Sequence, residues 1–279
     1  LLLVLSVAAD SVSLDEGFGF ELLITKLDCL EKRVTSLESQ LENKTSAVLS
    51  AQLEVMKELE SQQKSPLVYE SCDKVPSRLS GTFRIKTNLR DSAEVFCDQE
   101  YDNGGWTVIQ NRFDGSVNFY RDWNEYKRGF GRFDGEFWLG LDLIHELTYS
   151  GPHELVVLLE DFEGNKTYAK LDRFEVAGEQ EAYQATIASG FSGPAGDSIT
   201  GIASNKFSTL DRDNDKYEGS CSNLYHGAWW YAACHTSNLN GKYLKGQTTE
   251  YATGMVWNAF RGFYYSLKSA RMMIRRKKV

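Results

Sequence analysis

A change in the character of the polypeptide near residue 66 constrains this chain more than any other feature. Of its 6 Trp, 14 Tyr and 15 Phe, only Phe18 and Phe20 precede Tyr69, and of its 23 glycines only Gly17 and Gly19 precede Gly81. The first part instead carries apolar residues at alternating spacings of three and four: Phe20, Leu23, Leu27, Leu30, Val34, Leu37, Leu41, Val48, Ala51 and Val55, with a lapse at Lys44. This is a heptad seam of about five repeats, and it assigns 18–60 to an α-helical coiled coil that multiplies copies of the chain. Val34, Val48 and Val55 at one seam position and Leu23, Leu30 and Leu37 at the other lean toward a parallel dimer. The competing reading is an amphipathic helix lying on its own globular domain. Cys29 falls off the seam, where it can cross-link neighbouring chains or stay a surface thiol, and the cross-link is favoured.

Pro66 ends the helical pattern and disfavours helix at Ser65, which makes 61–69 a linker. Beyond it come short aromatic and β-branched runs, such as Gly105-Trp-Thr-Val-Ile-Gln110, Glu154-Leu-Val-Val-Leu-Leu159 and Tyr168-Ala-Lys-Leu-Asp172, separated by Gly, Asn and Asp turns. Helical windows are brief, as at 122–128. Residues 70–279 therefore read as an α+β globule, rich in strands and loops.

Charge and cysteines narrow the function. The chain carries 39 acidic against 31 basic side chains, a net charge of −8, which argues against nucleic acid as a partner. The nine residues LLLVLSVAA read as the tail of a secretory leader, with cleavage before Asp10, and they are too short for membrane insertion. Two sequons, Asn43-Lys44-Thr45 and Asn165-Lys166-Thr167, suit a secreted, extracellular glycoprotein. Five cysteines in such a chain read as two disulfides and one residue over. Proximity in sequence favours Cys72 with Cys97 and Cys221 with Cys234, each contributing on the order of 3 kcal/mol. No Cys-x-x-Cys occurs, and His145, His153, His226 and His235 lack metal-ligand spacing, so zinc is not expected. No nucleophile elbow or glycine-rich cofactor loop is present, which disfavours an enzyme. The basic run Arg275-Arg-Lys-Lys278 reads as a solvated tail before it reads as a site for acidic polysaccharide.

One acidic loop stands out. Asp211-Arg-Asp213-Asn-Asp215-Lys-Tyr217-Glu-Gly219 aims carboxylates at alternate positions, the pattern by which a loop presents hard oxygens to calcium. It is not an EF-hand, because Lys216 and Ser222 stand where glycine and glutamate are required. Downstream follows Trp229-Trp230-Tyr231-Ala-Ala-Cys234-His235-Thr-Ser-Asn238-Leu-Asn240-Gly241. With Asp102-Asn-Gly104-Gly105-Trp106-Thr107-Val-Ile-Gln110, Phe137-Trp138-Leu139-Gly140 and Asp213-Asn-Asp215, this segment resembles the fibrinogen C-terminal domain family from about Tyr69 onward. Leader, coiled coil and such a domain together look like the secreted fibrinogen-related lectins near tachylectins and ficolins, although the collagen stalk of ficolins has no counterpart here.

The resemblance implies a Ca2+ site made of the Asp213 and Asp215 side chains and the Tyr217 and Gly219 carbonyls, with Asp211 a neighbour. It implies an acetyl pocket on Tyr225, Cys234, His235, Tyr251, Ala252 and Phe263. There the backbone N–H groups of Cys234 and His235 would meet the acetyl carbonyl, beside a cis peptide at Ala233–Cys234. Phe263 stands where these lectins often show tyrosine, which removes one hydroxyl. Trp229 and Trp230 are read as core. A pocket this small gives millimolar affinity, and clustering raises it by ~10² to 10⁴. The expected function is therefore a calcium-dependent lectin of innate immunity that binds N-acetylated glycans on microbial surfaces. The alternative is an angiopoietin-like secreted ligand that binds a protein receptor.

Overall fold

A computed structural model describes residues 17–62, 67–88 and 90–277. The leader at 1–9, the cleavage point at Asp10 and linker residues 63–66 lie outside the described residues. The chain divides into two compact units, Leu1–Pro66 and Leu67–Val279.

The first unit contains one helix, α1 (Gly17–Gln62), 46 residues long and ~70 Å at 1.5 Å per residue. Every described side chain along it, from 20 to 56, is exposed, and the seam leucines Leu23, Leu30 and Leu37 are 58%, 56% and 62% accessible. Among the described residues no helix is long and apolar enough to cross a membrane.

The second unit runs β1 (Val68–Tyr69), β2 (Gly81–Ile85), β3 (Ala93–Asp98), β4 (Trp106–Arg112), α2 (Trp123–Arg128), β5 (Phe130–Gly131), β6 (Phe137–Trp138), α3 (Leu141–Tyr149), β7 (His153–Glu160), β8 (Lys166–Val176) and β9 (Ala185–Ser192). It continues with α4 (Cys221–Tyr225), β10 (Ser237–Asn238), β11 (Gly246–Gln247), β12 (Val256–Trp257), α5 (Asn258–Arg261), β13 (Tyr265–Ser266) and β14 (Ser269–Arg276). The main sheet has the order β1-β2-β3-β4-β14-β7-β8-β9, with β6 also on β4 and β5 on β6. Its last strand in sequence is thus central, antiparallel to both β4 and β7.

That position explains the composition of β14. Ala270, Met272, Met273 and Ile274 are buried, while its arginines are tied to neighbouring strands. Arg271 donates to Asp98 at 2.9 Å and to Asn111 at 3.0 Å. Arg275 donates to Glu154 at 2.7 Å and lies 4.2 Å from the Trp106 ring centroid. Arg275 is therefore part of the sheet and not of a solvated tail. The brief helical window becomes α2 because Asp122 and Glu125 form a reciprocal capping box, each side chain accepting from the other's backbone N–H.

Trp229 and Trp230 are core residues, packed edge to face at 5.3 Å. Phe207 and Phe174 meet Trp230 at 5.1 Å and 5.9 Å, and the Trp230 indole donates to the Tyr183 carbonyl at 2.8 Å. Two disulfides, Cys72–Cys97 and Cys221–Cys234, are formed as expected, and Cys29 is an exposed free thiol.

A buried charged pair joins the sheet to the loops beyond it. The Glu136 carboxylate accepts from the backbone N–H groups of Phe113, Asp114, Gly115 and Val117 at 2.7–3.1 Å. Its neighbour Arg112 donates to the carbonyls of Leu239 and Gly241 at 3.2 Å and 2.8 Å and stacks on Phe119. Gln110 holds the same segment by donating to the Leu239 carbonyl and the Asn240 side chain. Gly241 is required there, since a Cβ would lie 2.2 Å from the Gly254 carbonyl.

Glu136→Ala leaves Arg112 buried without its counter-charge and strips four N–H groups of their acceptor, which costs about 3–5 kcal/mol. Guanidinium unfolding should show this loss as a lower midpoint at unchanged slope, and an unchanged midpoint would show that the pair is dispensable.

Candidate functional site

The acidic loop is fixed by its own backbone and by the core beneath it. The Asp213 carboxylate accepts from the Asp215 N–H at 3.1 Å. Asp215 accepts from the Tyr217 N–H at 2.9 Å with one oxygen and from the Cys221 N–H at 2.8 Å with the other. Asn214 ties the loop inward, donating to the Ser208 hydroxyl and the Phe207 carbonyl, and Lys216 N–H donates to the Ala232 carbonyl at 3.0 Å.

The basic residues between the acids point elsewhere. Lys216 donates to Asn205 at 2.7 Å, and Arg212 stacks on Trp123 at 4.0 Å. Asp211 accepts from the Trp123 N–H and the Thr209 hydroxyl and so has a structural role. Asp213 and Asp215 are left side by side, and among the described residues no basic side chain forms an ion pair with either. Burial, and then Asp213 beside it, push the Asp215 carboxyl above its ordinary value. Among the described residues no three acidic, histidine or cysteine side chains converge on one point. The donors available are therefore two carboxylates and the Tyr217 and Gly219 carbonyls, neither of which accepts a hydrogen bond from the described residues. An all-oxygen set of this kind suits a hard divalent cation with water completing its shell.

From Asp215 the chain leads directly to the aromatic cluster. Cys221 opens α4, whose start is capped by Ser220 accepting from the Asn223 N–H, and Tyr225 closes it. The Cys221–Cys234 bridge then joins α4 to the segment in which the Ala233–Cys234 peptide is cis. His235 follows, ringed by Tyr225 at 4.7 Å, Tyr231 at 5.6 Å and Phe263 at 6.2 Å between centroids. Tyr251 packs on Phe263 at 5.2 Å, and Ala252, in the left-handed region at φ 59, donates its N–H to the Phe263 carbonyl. The structure thus brings together all six residues of the expected pocket. Among the described residues the backbone N–H groups of Cys234 and His235 donate to no acceptor, which leaves two adjacent donors beside the aromatic cluster.

Electrostatics keep the enclosure neutral. Burial lowers the His235 imidazole to about 4, with the Ala252 backbone opposing the shift slightly. Burial, then Tyr251 and Tyr217, raise the Tyr225 phenol.

Three contributors escape sequence reasoning. Asn238, fully buried, accepts from the Tyr231 hydroxyl and donates to the Tyr225 carbonyl. Tyr231 itself closes the floor under His235. Tyr264 packs edge to face on Tyr251 at 5.3 Å, and its only signal is its place beside Phe263. Of the two sequons, Asn43 is exposed on α1, while Asn165 is exposed in the β7–β8 turn with its amide donating to Asp161 at 2.8 Å.

Comparison with known proteins places the chain in a family. Residues 69–277 match the family model for the fibrinogen beta and gamma chains, C-terminal globular domain. The chain therefore belongs to the fibrinogen C-terminal globular domain family. It is 50% identical over 187 residues to fibrinogen C domain-containing protein 1 of Macaca fascicularis, an alignment covering 65% of this chain and 43% of that protein. The chain thus spans less than half of that relative's length. Among solved structures, the fibrinogen-like globe domain of human ANGPTL2 is similar with 43% identity and a TM-score of 0.73, covering 75% of this chain and all of that one. The corresponding domain of human ANGPTL6 is 41% identical with a TM-score of 0.72, covering 77% of this chain and all of that one. A lamprey fibrin D-dimer, solved with the peptide Gly-His-Arg-Pro-amide, is 30% identical with a TM-score of 0.70 and covers 94% of this chain and 96% of that one.

His235 gives the site a pH signature. Its ordinary value is 6.5 and its folded value about 4, so between these the unfolded chain binds the extra proton and stability rises with pH. Stability is complete above pH 6.5 and is lost as pH falls toward 4, by up to about 3 kcal/mol. Denaturant unfolding from pH 7 to 4 should show a shallower loss for His235→Gln than for the wild type. Parallel profiles would mean that the imidazole is not held neutral by burial.

Proposed function

We propose that this chain is a secreted, non-enzymatic, calcium-dependent lectin that binds N-acetyl groups on microbial glycans in innate defence. The observation that carries this reading is the pair of free backbone donors at Cys234 and His235. They lie within the cluster of Tyr225, His235, Tyr251 and Phe263, one disulfide away from the Asp213–Asp215 carboxylates. The donors suit a carbonyl oxygen, the rings suit the methyl group, and the Tyr251 hydroxyl suits the acetamide N–H. Apolar walls with few convergent polar groups are the usual make-up of a small-ligand site.

Ca2+ would be held by the Asp213 and Asp215 carboxylates with the Tyr217 and Gly219 carbonyls. Its role would be to neutralise two adjacent carboxylates and keep the loop that anchors Cys221 in place. Weak single-site binding calls for multivalency, and the exposed leucine row of α1 supports self-association as a coiled coil. Cys29 would cross-link neighbouring chains. Asn43 and Asn165 would carry glycans.

The alternative is an angiopoietin-like ligand that binds a protein receptor through the same domain. It draws on the structural likeness to the human ANGPTL2 and ANGPTL6 globes.

Chromatography on N-acetylglucosamine beads separates the two. The wild type should be retained with Ca2+ and released by chelator or by free N-acetylglucosamine. A folded Tyr251→Ala variant, which keeps the core intact because Tyr251 is 48% exposed, should flow through. No retention of the calcium-loaded wild type would reject the lectin reading and favour the receptor ligand.

A further inference from the structure

The fold divides the basic run at 275–278. Successive side chains of a strand point to opposite faces, so along β14 Arg275 turns to Glu154 and Trp106 while the next residue, Arg276, is exposed. Lys278 lies outside the described residues. Folding also gives the run a companion that the sequence keeps far from it. Arg78, from the loop before β2, lines one cleft with Arg275, Arg276 and Lys277, and the acids of that cleft are Asp73 and Glu154. Its volume is about 530 Å³, within the ~300–1,000 Å³ range of ligand sites.

The walls of the cleft are fixed by the fold. Gln99 donates to the Cys72 carbonyl at 2.9 Å and accepts from the Gly105 N–H at 2.8 Å, which clamps the loop after Cys72 to the turn before β4. The Cys72–Cys97 bridge ties the same loop to β3. A Cβ on Gly105 would stand 2.9 Å from the Asp73 Cβ, so only glycine lets the two walls approach this closely. On the far side Arg275 donates to the Asp102 and Gly104 carbonyls at 2.7 Å and 3.0 Å.

The charges in the cleft do not cancel. Glu154 is paired with Lys170 at 2.6 Å and with Arg275 at 2.7 Å, and Asp73 lies 3.3 Å from Lys74. Both acids are thus neutralised without drawing on Arg78 or Arg276, and among the described residues no acidic side chain pairs with either arginine. Lys277 meets Asp172 at 3.7 Å with both side chains largely accessible, a contact worth little. Burial lowers the His153 imidazole, the Gly151 carbonyl opposes the shift, and Arg276 adds to it. That is the effect of a positive charge left uncompensated beside β7.

Three such cations around one cleft call for an anionic ligand, and a guanidinium matches two oxygens of a sulfate group at once. The chain as a whole carries a net charge of −8, so attraction here is local and runs against the overall field. No aromatic side chain lines the cleft, which removes the platform on which nucleic-acid bases stack. The exposed Asn103 amide at its edge suits sugar hydroxyls.

We propose that this cleft is a second binding site, for sulfated polysaccharide, held by Arg78, Arg276 and Lys277. It shares no residue with the acetyl pocket or with the acidic loop, and it does not rest on the lectin reading.

Dextran sulfate is the probe, because it carries no acetyl group that the other site could take. The full chain should be passed over immobilised dextran sulfate in chelator at pH 7.4 and about 0.15 M salt, where screening acts over about 8 Å. The wild type should bind and be released by higher salt. An Arg78→Ser, Arg276→Ser, Lys277→Ser variant should bind roughly tenfold to a hundredfold more weakly, the combined effect of three exposed charge pairs. Arg78→Glu, which changes an exposed side chain with no acidic partner, should weaken binding on its own and guards against misfolding of the triple variant. Lys32→Ser, Arg33→Ser, Lys44→Ser on α1 makes the same change in net charge and should bind like the wild type. No retention of the wild type, or equal loss in the cleft and α1 variants, overturns the site. Displacement by duplex DNA as effective as by free dextran sulfate overturns the assignment to polysaccharide.

Discussion

Asp215 is the point at which the acidic loop and α4 are held together. Its two oxygens accept from Tyr217 and Cys221, so one carboxylate sets both the curvature of the acidic loop and the start of α4. Cys221 passes that constraint through its disulfide to Cys234, and Cys234 and His235 supply the free backbone donors. The loop, the helix and the aromatic cluster are thus one mechanical unit. The cost is electrostatic, because Asp213 and Asp215 sit side by side while Arg212 and Lys216 bond elsewhere. A divalent cation would remove that repulsion, and this is the physical basis for linking metal and ligand in the proposed function.

The unit is placed by the sheet and not by its own loops. Gln110 and Arg112, on β4, reach more than a hundred residues along the chain to hold Leu239, Asn240 and Gly241. Asn240 in turn donates to the Ala228 carbonyl at 3.0 Å, just before the tryptophan pair, and Asn238 fixes Tyr225 and Tyr231. The segment around 238–241 therefore hangs from β4, a central strand of the sheet paired with β14.

How much of this was legible depends on the range of the interaction involved. The runs at 105–110, 154–159 and 168–172 became β4, β7 and β8, because β-branched and aromatic residues in short alternation mark strands wherever the chain pairs them. The helix at α2 was legible as a brief helical window at 122–128. The central position of β14 was not, since no local pattern records that a C-terminal strand will enter between strands from residues 106–112 and 153–160. The two-residue strands β5, β6 and β10 to β13 carry too little periodicity to be seen. At the site, motif matching named Tyr225, Cys234, His235, Tyr251, Ala252 and Phe263, which the fold clusters. It gave no role to Asn238, Tyr231 or Tyr264, whose roles arise from contacts made only on folding.

The central claim is that the Asp213–Asp215 loop and the acetyl pocket are coupled through Asp215 and the 221–234 bridge. Linkage makes this testable from the metal side, because a ligand that gains affinity from a cation must raise the affinity for that cation by the same factor. The measurement is Ca2+ titration of the full chain by calorimetry, without and with saturating N-acetylglucosamine. Tighter Ca2+ binding in the presence of the sugar, matched by an equal gain in sugar affinity on adding Ca2+, is the predicted result. Identical Ca2+ affinity with and without bound sugar would contradict the account and leave the two sites as independent neighbours.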